Sequence, residues 1–362
     1  MDRLRRYSKL ANEFAVMDAD DLAALGLDRA PTQGWGTSQG TIVGDDGVFV
    51  KRVPVTEREY EHLYSTKNLF RLPLYYQYGV GSAGFGVFRE LATHVKTTSW
   101  VLDGSCARFP MLLHHRIVPR RSPHAAANPD SWVAGGDYVG YWGGSKRIGT
   151  YIAERARAPY ELWLVLEWVP HVLHEWIVGA GGQDAAGRVV DELVSTVSFL
   201  HERGVFHFDA HWGNVVCDDD GGVFLTDFGL ANDRAFALSA DERAFFDAHV
   251  HYDYGETIYS LGAAMVGLVM KLEADARAAL VRRYVPEGDR VDQDVVIDFL
   301  VRNIDDNPLE LSGGYVDAVR RYAEVILFMN SFFASMRANR KKNTPFDDAR
   351  LRALVLDAGL DV

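Results

Sequence analysis

The tightest constraint on this chain is one stretch, Leu200-His201-Glu202-Arg203-Gly204-Val205-Phe206-His207-Phe208-Asp209-Ala210-His211-Trp212-Gly213-Asn214, followed by Leu225-Thr226-Asp227-Phe228-Gly229-Leu230-Ala231. Asp184 to Arg203 ahead of it reads as a helix, and Gly204 stands where a helix ends in a left-handed residue. The turn Asp218-Asp219-Asp220-Gly221-Gly222 then leads into a short strand, Val223 to Thr226. That turn lacks the register and closing glutamate of a calcium loop and reads as a solvated β-turn. Asn214 stands five residues after Asp209, and Asp227 eighteen after it. Polar residues at such fixed offsets, after a helix and around a hairpin, form a specific signature.

The rest of the chain supplies the context. Its 362 residues suggest two domains or one two-lobed fold, at about 150 residues per domain. Residues 1–30 alternate charged and aliphatic side chains at helical spacing and read as a helical extension. Val48-Phe49-Val50-Lys51 is β-like. Thr56, with Glu59 three residues on, predicts a capped helix to about Lys67. Phe85–Leu91 and Met111–Val118 read as strands, Lys146–Ala158 as a helix and Leu162–Val169 as an apolar strand; from about Asp241 the chain reads as helices. The run Arg337–Lys342 reads as a solvated helix face or tail. His171 and His174 share one helix face but make no metal site by themselves.

Composition excludes several functions. A net charge of −12 argues against a general nucleic-acid binder, which needs a basic face for phosphates. The two cysteines, Cys106 and Cys217, form neither a disulfide framework nor a metal-spaced pair, which suits a reducing cytoplasm. The charged start, Met1 to Arg6, leads into Lys9, Asn12 and Glu13, so no signal peptide is expected. The longest apolar stretch, Ile258 to Met270, is too short to span a bilayer and reads as a buried helix, so no membrane partner is expected.

The pattern His-x-Asp-x-x-x-x-Asn, then a strand, then Asp-Phe-Gly, resembles the protein-kinase-like superfamily. The resemblance implies an α+β, bilobal fold: a β-rich N-lobe over residues 31–166, with an insert at about 92–160, and a hinge and helical C-lobe over 167–362. It also implies ATP and Mg²⁺ as cofactors. Asn214 and Asp227 would supply the oxygen ligands that Mg²⁺ prefers. Asp209 would accept or orient the proton of the attacking hydroxyl. His207 would be structural, and Phe228 would pack beneath the helix bearing the ion-pair glutamate. Lys51 would be the third-strand lysine at the phosphates. Its partner is sought among Glu57, Glu59 and Glu61; Glu59 is preferred because Leu63 occupies the next turn of the same face. The alternative is that Glu59 only caps Thr56. Gly34, Gly36 and Gly40 would form a loop covering the phosphates with backbone amides, and no Gly-Lys-Ser/Thr follows to make it a Walker loop. The backbone of Glu167 and Val169 would read the adenine, with Leu166 as gatekeeper. Phe85–Leu91 is a competing hinge, rejected because too much chain separates it from the catalytic loop.

The acceptor is read from the departures. His211 stands two after Asp209, where typical Ser/Thr protein kinases place a lysine. Asp-x-His-x-x-Asn is the form of aminoglycoside- and choline-kinase-like enzymes. No Ala-Pro-Glu follows Asp-Phe-Gly. Ile258–Gly262 resembles the buried F-helix with its anchoring acid displaced, and Asp253 is the candidate to replace it. The insert carries Arg116, Arg120, Arg121, Lys146 and Arg147, which could grip an extended peptide. The expected function is therefore Mg·ATP-dependent transfer of the γ-phosphoryl group to a hydroxyl, leaning to Ser/Thr of a protein or peptide. The alternatives are a small-molecule phosphotransferase and a nucleotide-binding pseudokinase scaffold.

Overall fold

A computed structural model describes residues 3–25, 32–33, 36–120, 130, 136–179, 182–284 and 292–362. The chain divides into two compact units, one of residues 1–169 with 227–242, the other of 170–226 with 243–362.

The first unit is built on a five-stranded antiparallel sheet of order β1-β2-β3-β5-β4. Its elements are α1 (Arg3–Val16), α2 (Ala19–Ala24), β1 (Thr32–Gln33), β2 (Gly36–Val43), β3 (Asp46–Val55), α3 (Glu57–Glu61), α4 (Val87–Leu102), β4 (Leu112–Pro119), α5 (Tyr138–Tyr141), α6 (Lys146–Ala156) and β5 (Tyr160–Glu167). The period-two alternation of β3 sets both faces of the sheet. Val48 and Val50 face one way and join Leu10 and Phe14 of α1 in a core with Leu113, Trp163 and Val165. Val53 and Val55 face the other way and pack with Val87, Phe88 and Leu91 of α4 and Leu162, Leu164 and Leu166 of β5. Each such buried aliphatic side chain contributes about 1.5–3 kcal/mol.

Three sequence expectations are corrected here. Phe85–Leu91 is not a strand: Val87, Phe88, Leu91, His94 and Thr98 are buried at helical spacing along α4. The helix after Thr56 stops at Glu61 instead of Lys67, and Tyr64 just beyond it adopts φ 61°, a left-handed conformation a helix cannot continue through. The span read as an insert, 92–160, holds most of α4 and the whole of β4, so much of it is built into the unit's core.

The second unit contains β6 (His171–Val172), α7 (Leu173–Val178), α8 (Ala186–Glu202), β7 (Val215–Cys217), β8 (Val223–Leu225) and the helices α10 (Tyr252–Lys271), α11 (Ala274–Tyr284), α12 (Gln293–Arg302), α13 (Gly313–Ala338) and α14 (Asp348–Asp357); α9 (Ala240–Asp247) begins in the first unit and continues into this one. β7 pairs with both β6 and β8, and the β7–β8 hairpin turns where Gly221 N–H donates to Asp218 O. Gly204 takes φ 75° after α8. The centre of the unit is α10, buried from Tyr252 to Gly262 and packed on α8, α12, α13 and α14. Two glycines one heptad apart permit this. A Cβ at Gly255 would lie 2.7 Å from Met329 Sδ, and one at Gly262 2.7 Å from Ile326 Cγ2, both on α13. Among the described residues no helix is long and apolar enough to cross a membrane. In the run read as a solvated tail, Lys342 is buried: its Nζ donates to the carbonyls of Met336 (2.9 Å) and Arg337 (3.1 Å) near the end of α13. It caps that helix with positive charge where the dipole favours it.

Candidate active site

In the first unit, Lys51 lies on the face of β3 shared with Val53, against α4. Its Nζ is 2.7 Å from Glu90 Oε1 and 2.7 Å from Asp227 Oδ1. Burial alone would lower the ammonium pKa, but the Asp227 and Glu90 carboxylates outweigh it and hold the pKa above its ordinary value. Lys51 is therefore a fixed cation.

Its helical partner is Glu90 in the first turn of α4, not Glu59. Glu59 is a capping residue twice over. Its Oε2 accepts from Thr56 N–H (2.9 Å) and Thr56 Oγ1 (2.8 Å), and its Oε1 accepts from Val87 N–H (3.1 Å) at the start of α4. Both oxygens are thus committed to ends of helices. Glu57 and Glu61, the other two candidates, lie exposed on α3.

Asp227 takes φ 58°, a left-handed conformation rare outside glycine, and its Oδ1 also accepts Gly229 N–H (3.2 Å). Phe228 is buried between His94 of α4 (ring centroids 4.8 Å apart) and Phe109 (6.2 Å). Gly84, at φ 75°, lies so close to the carbonyl oxygen of Gly229 that a Cβ there would overlap it.

The glycine run is corrected in part. Gly34 lies outside the described residues. Gly36 and Gly40 sit within β2, a paired strand. Gly40 serves close approach: a Cβ on it would overlap the indole of Trp168, which also lies over Gly47. Glu167 ends β5, with its N–H bonded to Met111 O (2.9 Å). Its buried carboxylate is clamped by Arg3 (2.7 Å) and Arg6 (3.0 Å) of α1. Val169 follows in irregular, half-buried chain.

In the second unit, one face of α10 holds the 207–212 backbone. Asp253, Glu256, Thr257 and Ser260 recur at the spacing of one helical stripe. Asp253 accepts N–H bonds from His207 and Phe208, each 2.7 Å, and meets His201 Nε2 at 2.8 Å. Glu256 Oε2 accepts Ala210 N–H (2.7 Å), Thr257 Oγ1 donates to Ala210 O (3.1 Å), and Ser260 Oγ accepts Trp212 N–H (3.1 Å). Asp253 is thus the acid that anchors this loop. Phe208 is held at φ 60°. Such a residue costs of order 1–3 kcal/mol, and the Asp253 bonds with stacking on Tyr252 (5.4 Å) and Phe245 (5.8 Å) hold it there.

This scaffold presents the polar groups. His207 Nδ1 accepts Asp209 N–H (3.2 Å), so the network assigns the proton to Nε2, which donates to Thr226 O (2.9 Å). Both nitrogens are used within the loop, a structural role. Asn214 Nδ2 donates to the backbone oxygen of Asp209 (2.9 Å) and to its Oδ2 (2.8 Å). His211 Nδ1 accepts Gly213 N–H (3.0 Å), and its Nε2 lies 3.7 Å from Asp209 Oδ1. Burial, with the Asp209 and Asp253 carboxylates nearby, raises the Glu256 carboxyl well above its ordinary range.

A family model described as protein kinase domain matches residues 148–245. Over that stretch the chain is protein-kinase-like. It is 42% identical over 77 residues to the serine/threonine-protein kinase AtPK1/AtPK6 of Arabidopsis thaliana, covering 20% of this chain and 17% of that protein. It is 35% identical over 122 residues to the CBL-interacting protein kinase 20 of Oryza sativa subsp. japonica, covering 31% of this chain and 24% of that protein. These matches span about a quarter or less of the length of either relative. The mixed helix-and-sheet architecture is that of the kinase fold. Glu90 is the residue that sequence reasoning missed; the burial rhythm of α4 is the signal that marks it.

Proposed function

We propose that this chain transfers the γ-phosphoryl group of ATP, with Mg²⁺, to a hydroxyl, the acceptor being Ser or Thr of a protein or peptide. The observation that carries the reading is Lys51, a half-buried cation held at 2.7 Å by acids from two separate stretches of chain. Phosphoryl transfer needs mainly positioning and neutralisation of charge, and a fixed lysine suits that task. Asp227 and Asn214 fit a magnesium ion by donor chemistry: one offers carboxylate oxygen, the other an amide oxygen turned away from Asp209 because Nδ2 is bonded to it. Bound Mg²⁺ would neutralise phosphate charge. Asp209, oriented by Asn214, would take the proton of the acceptor hydroxyl. The backbone of Glu167 and Val169 would meet the adenine, and Gly34 and Gly36 would lie over the phosphates. Both cysteines are free thiols, which suits a cytoplasmic setting.

A small-molecule acceptor is the second reading, favoured by His211, whose partly exposed ring stands beside Asp209. Purified protein incubated with Mg²⁺ and γ-labelled ATP, against a peptide library and a panel of small alcohols, separates the two. Asp209→Asn is expected to keep nucleotide binding and to lose transfer by about 10²-fold or more, the scale for removing one preorganised charge group. Full activity in that variant would overturn the base assignment. Nucleotide binding without transfer in the unaltered chain would point to a scaffold instead.

A further inference from the structure

We propose that Arg89, bonded to Asn232 and Glu242, is a positioning residue that holds helix α4, and with it Glu90, against Lys51 without any phosphate on the 228–242 segment. The inference rests on the phosphoryl-transfer reading above, and it names a regulatory property of that site. Lysine–glutamate pairing depends on where this helix sits, and kinases commonly fix the helix and the segment after Asp-Phe-Gly through a phosphorylated side chain and arginine. Here the counter-ions are carboxylates already in the chain.

The geometry is explicit. Arg89 is 2% exposed. Its Nη2 is 2.6 Å from Glu242 Oε1, its Nη1 donates to Asn232 Oδ1, and its Nε donates to Thr66 O at 2.8 Å. The guanidinium also lies over the rings of Phe85 (5.4 Å) and Phe236 (5.8 Å). Lys96, seven residues on and so on the same side of α4, pairs with Asp233. Two anchors on one stripe fix both the rotation and the axial position of the helix, and Glu90 adjoins the first.

The segment is held from a third direction by the stretch between α3 and α4. Thr66 Oγ1 accepts Ala237 N–H (2.9 Å), Gln77 donates to Leu230 O, and Gly84 closes on Gly229. Glu242 is shared: its Oε2 accepts Ser239 N–H (2.9 Å), while its own N–H donates to Ser239 Oγ (3.2 Å). Ser239 is the only hydroxyl-bearing residue from 228 to 242. A phosphate there would bring negative charge against Glu242, loosening the latch where a kinase switched on by phosphorylation would tighten it.

The test uses the full chain, its rate of γ-phosphoryl transfer, its affinity for Mg·ATP, and hydrogen exchange of peptides from 87–102 and 228–242. Phosphatase-treated protein is expected to keep its full rate; loss of activity on dephosphorylation would overturn the proposal. Arg89→Ala is expected to lower kcat/KM for ATP, and Mg·ATP affinity with it, on the order of tenfold, the range of a conformational coupling. Exchange should speed up in those two segments alone, and Arg89→Lys should recover part of each effect. Lys96→Met, at the more exposed anchor, provides the milder variant should Arg89→Ala fold poorly; it should shift the same readouts less. Rates and exchange unchanged in both variants would sink the latch. If no acceptor is ever phosphorylated but Arg89→Ala still loosens 87–102, the latch stands and the transfer reading falls.

Discussion

Glu256 sits under the loop that carries Asp209, buried, accepting Ala210 N–H, with the Asp209 and Asp253 carboxylates close by. In the folded chain it keeps its proton above about 4.5, where an unfolded glutamate gives it up. The folded state therefore binds more protons in that window, so stability falls as pH rises from the ordinary glutamate pKa through the raised one. Glu256→Gln retains an oxygen for Ala210 N–H and cannot ionise. Urea midpoints at pH about 5 and about 9 should show wild type losing stability relative to the glutamine variant. Equal losses in the two proteins would mean that Glu256 is ionised throughout. Asp253 is pulled the opposite way: burial opposes its charge, yet His201, His207 and the backbone N–H bonds hold its pKa below the ordinary value. Two acids three residues apart thus divide the work, one anchoring as an anion and the other as a neutral acceptor.

Among the elements, α10 and α13 approach through glycines. Gly262→Val would push side-chain atoms into Ile326 and Ile297, both buried, and overpacking of this kind costs about 1–3 kcal/mol. A lower urea midpoint with an unchanged m-value is expected, and an unaltered midpoint would show that α13 can yield. The elements also show what a sequence can carry. Strand β3 and helix α8 are legible from their periods, and β4 and β5 as short runs rich in aliphatic residues. Helix α4 is not: Phe85 precedes it and Val87 opens it, both strand-like residues, and the helical rhythm becomes plain only at His94 and Thr98. Its glutamate therefore escapes notice, while Glu59, nearer to Lys51 in sequence, is already committed to Thr56 and Val87. Likewise Gly40 reads as part of a loop, because nothing local reveals that a tryptophan from far along the chain lies over it.

At the scale of the whole molecule, the motif residues divide between the units: Lys51, Glu90 and Asp227 in one, Asp209 and Asn214 in the other. Their offsets in sequence were readable, but their partners within each unit come from packing. The first unit is not continuous along the chain, since it closes only with residues 227–242. A ribosome delivers residues in order, so the sheet and α4 emerge long before Asp227, Phe228 and the acid that meets Arg89. During that interval Lys51 has one of its two carboxylates, and the surface that receives Phe228 on His94 and Phe109 is bare. A fragment of residues 1–169 should accordingly bind a hydrophobic dye, and a peptide of residues 227–242 supplied in trans should displace it. The last piece of this unit to leave the exit tunnel is the piece that brings the second carboxylate to Lys51 and covers that apolar surface, so the nascent first half is a ready client for chaperones.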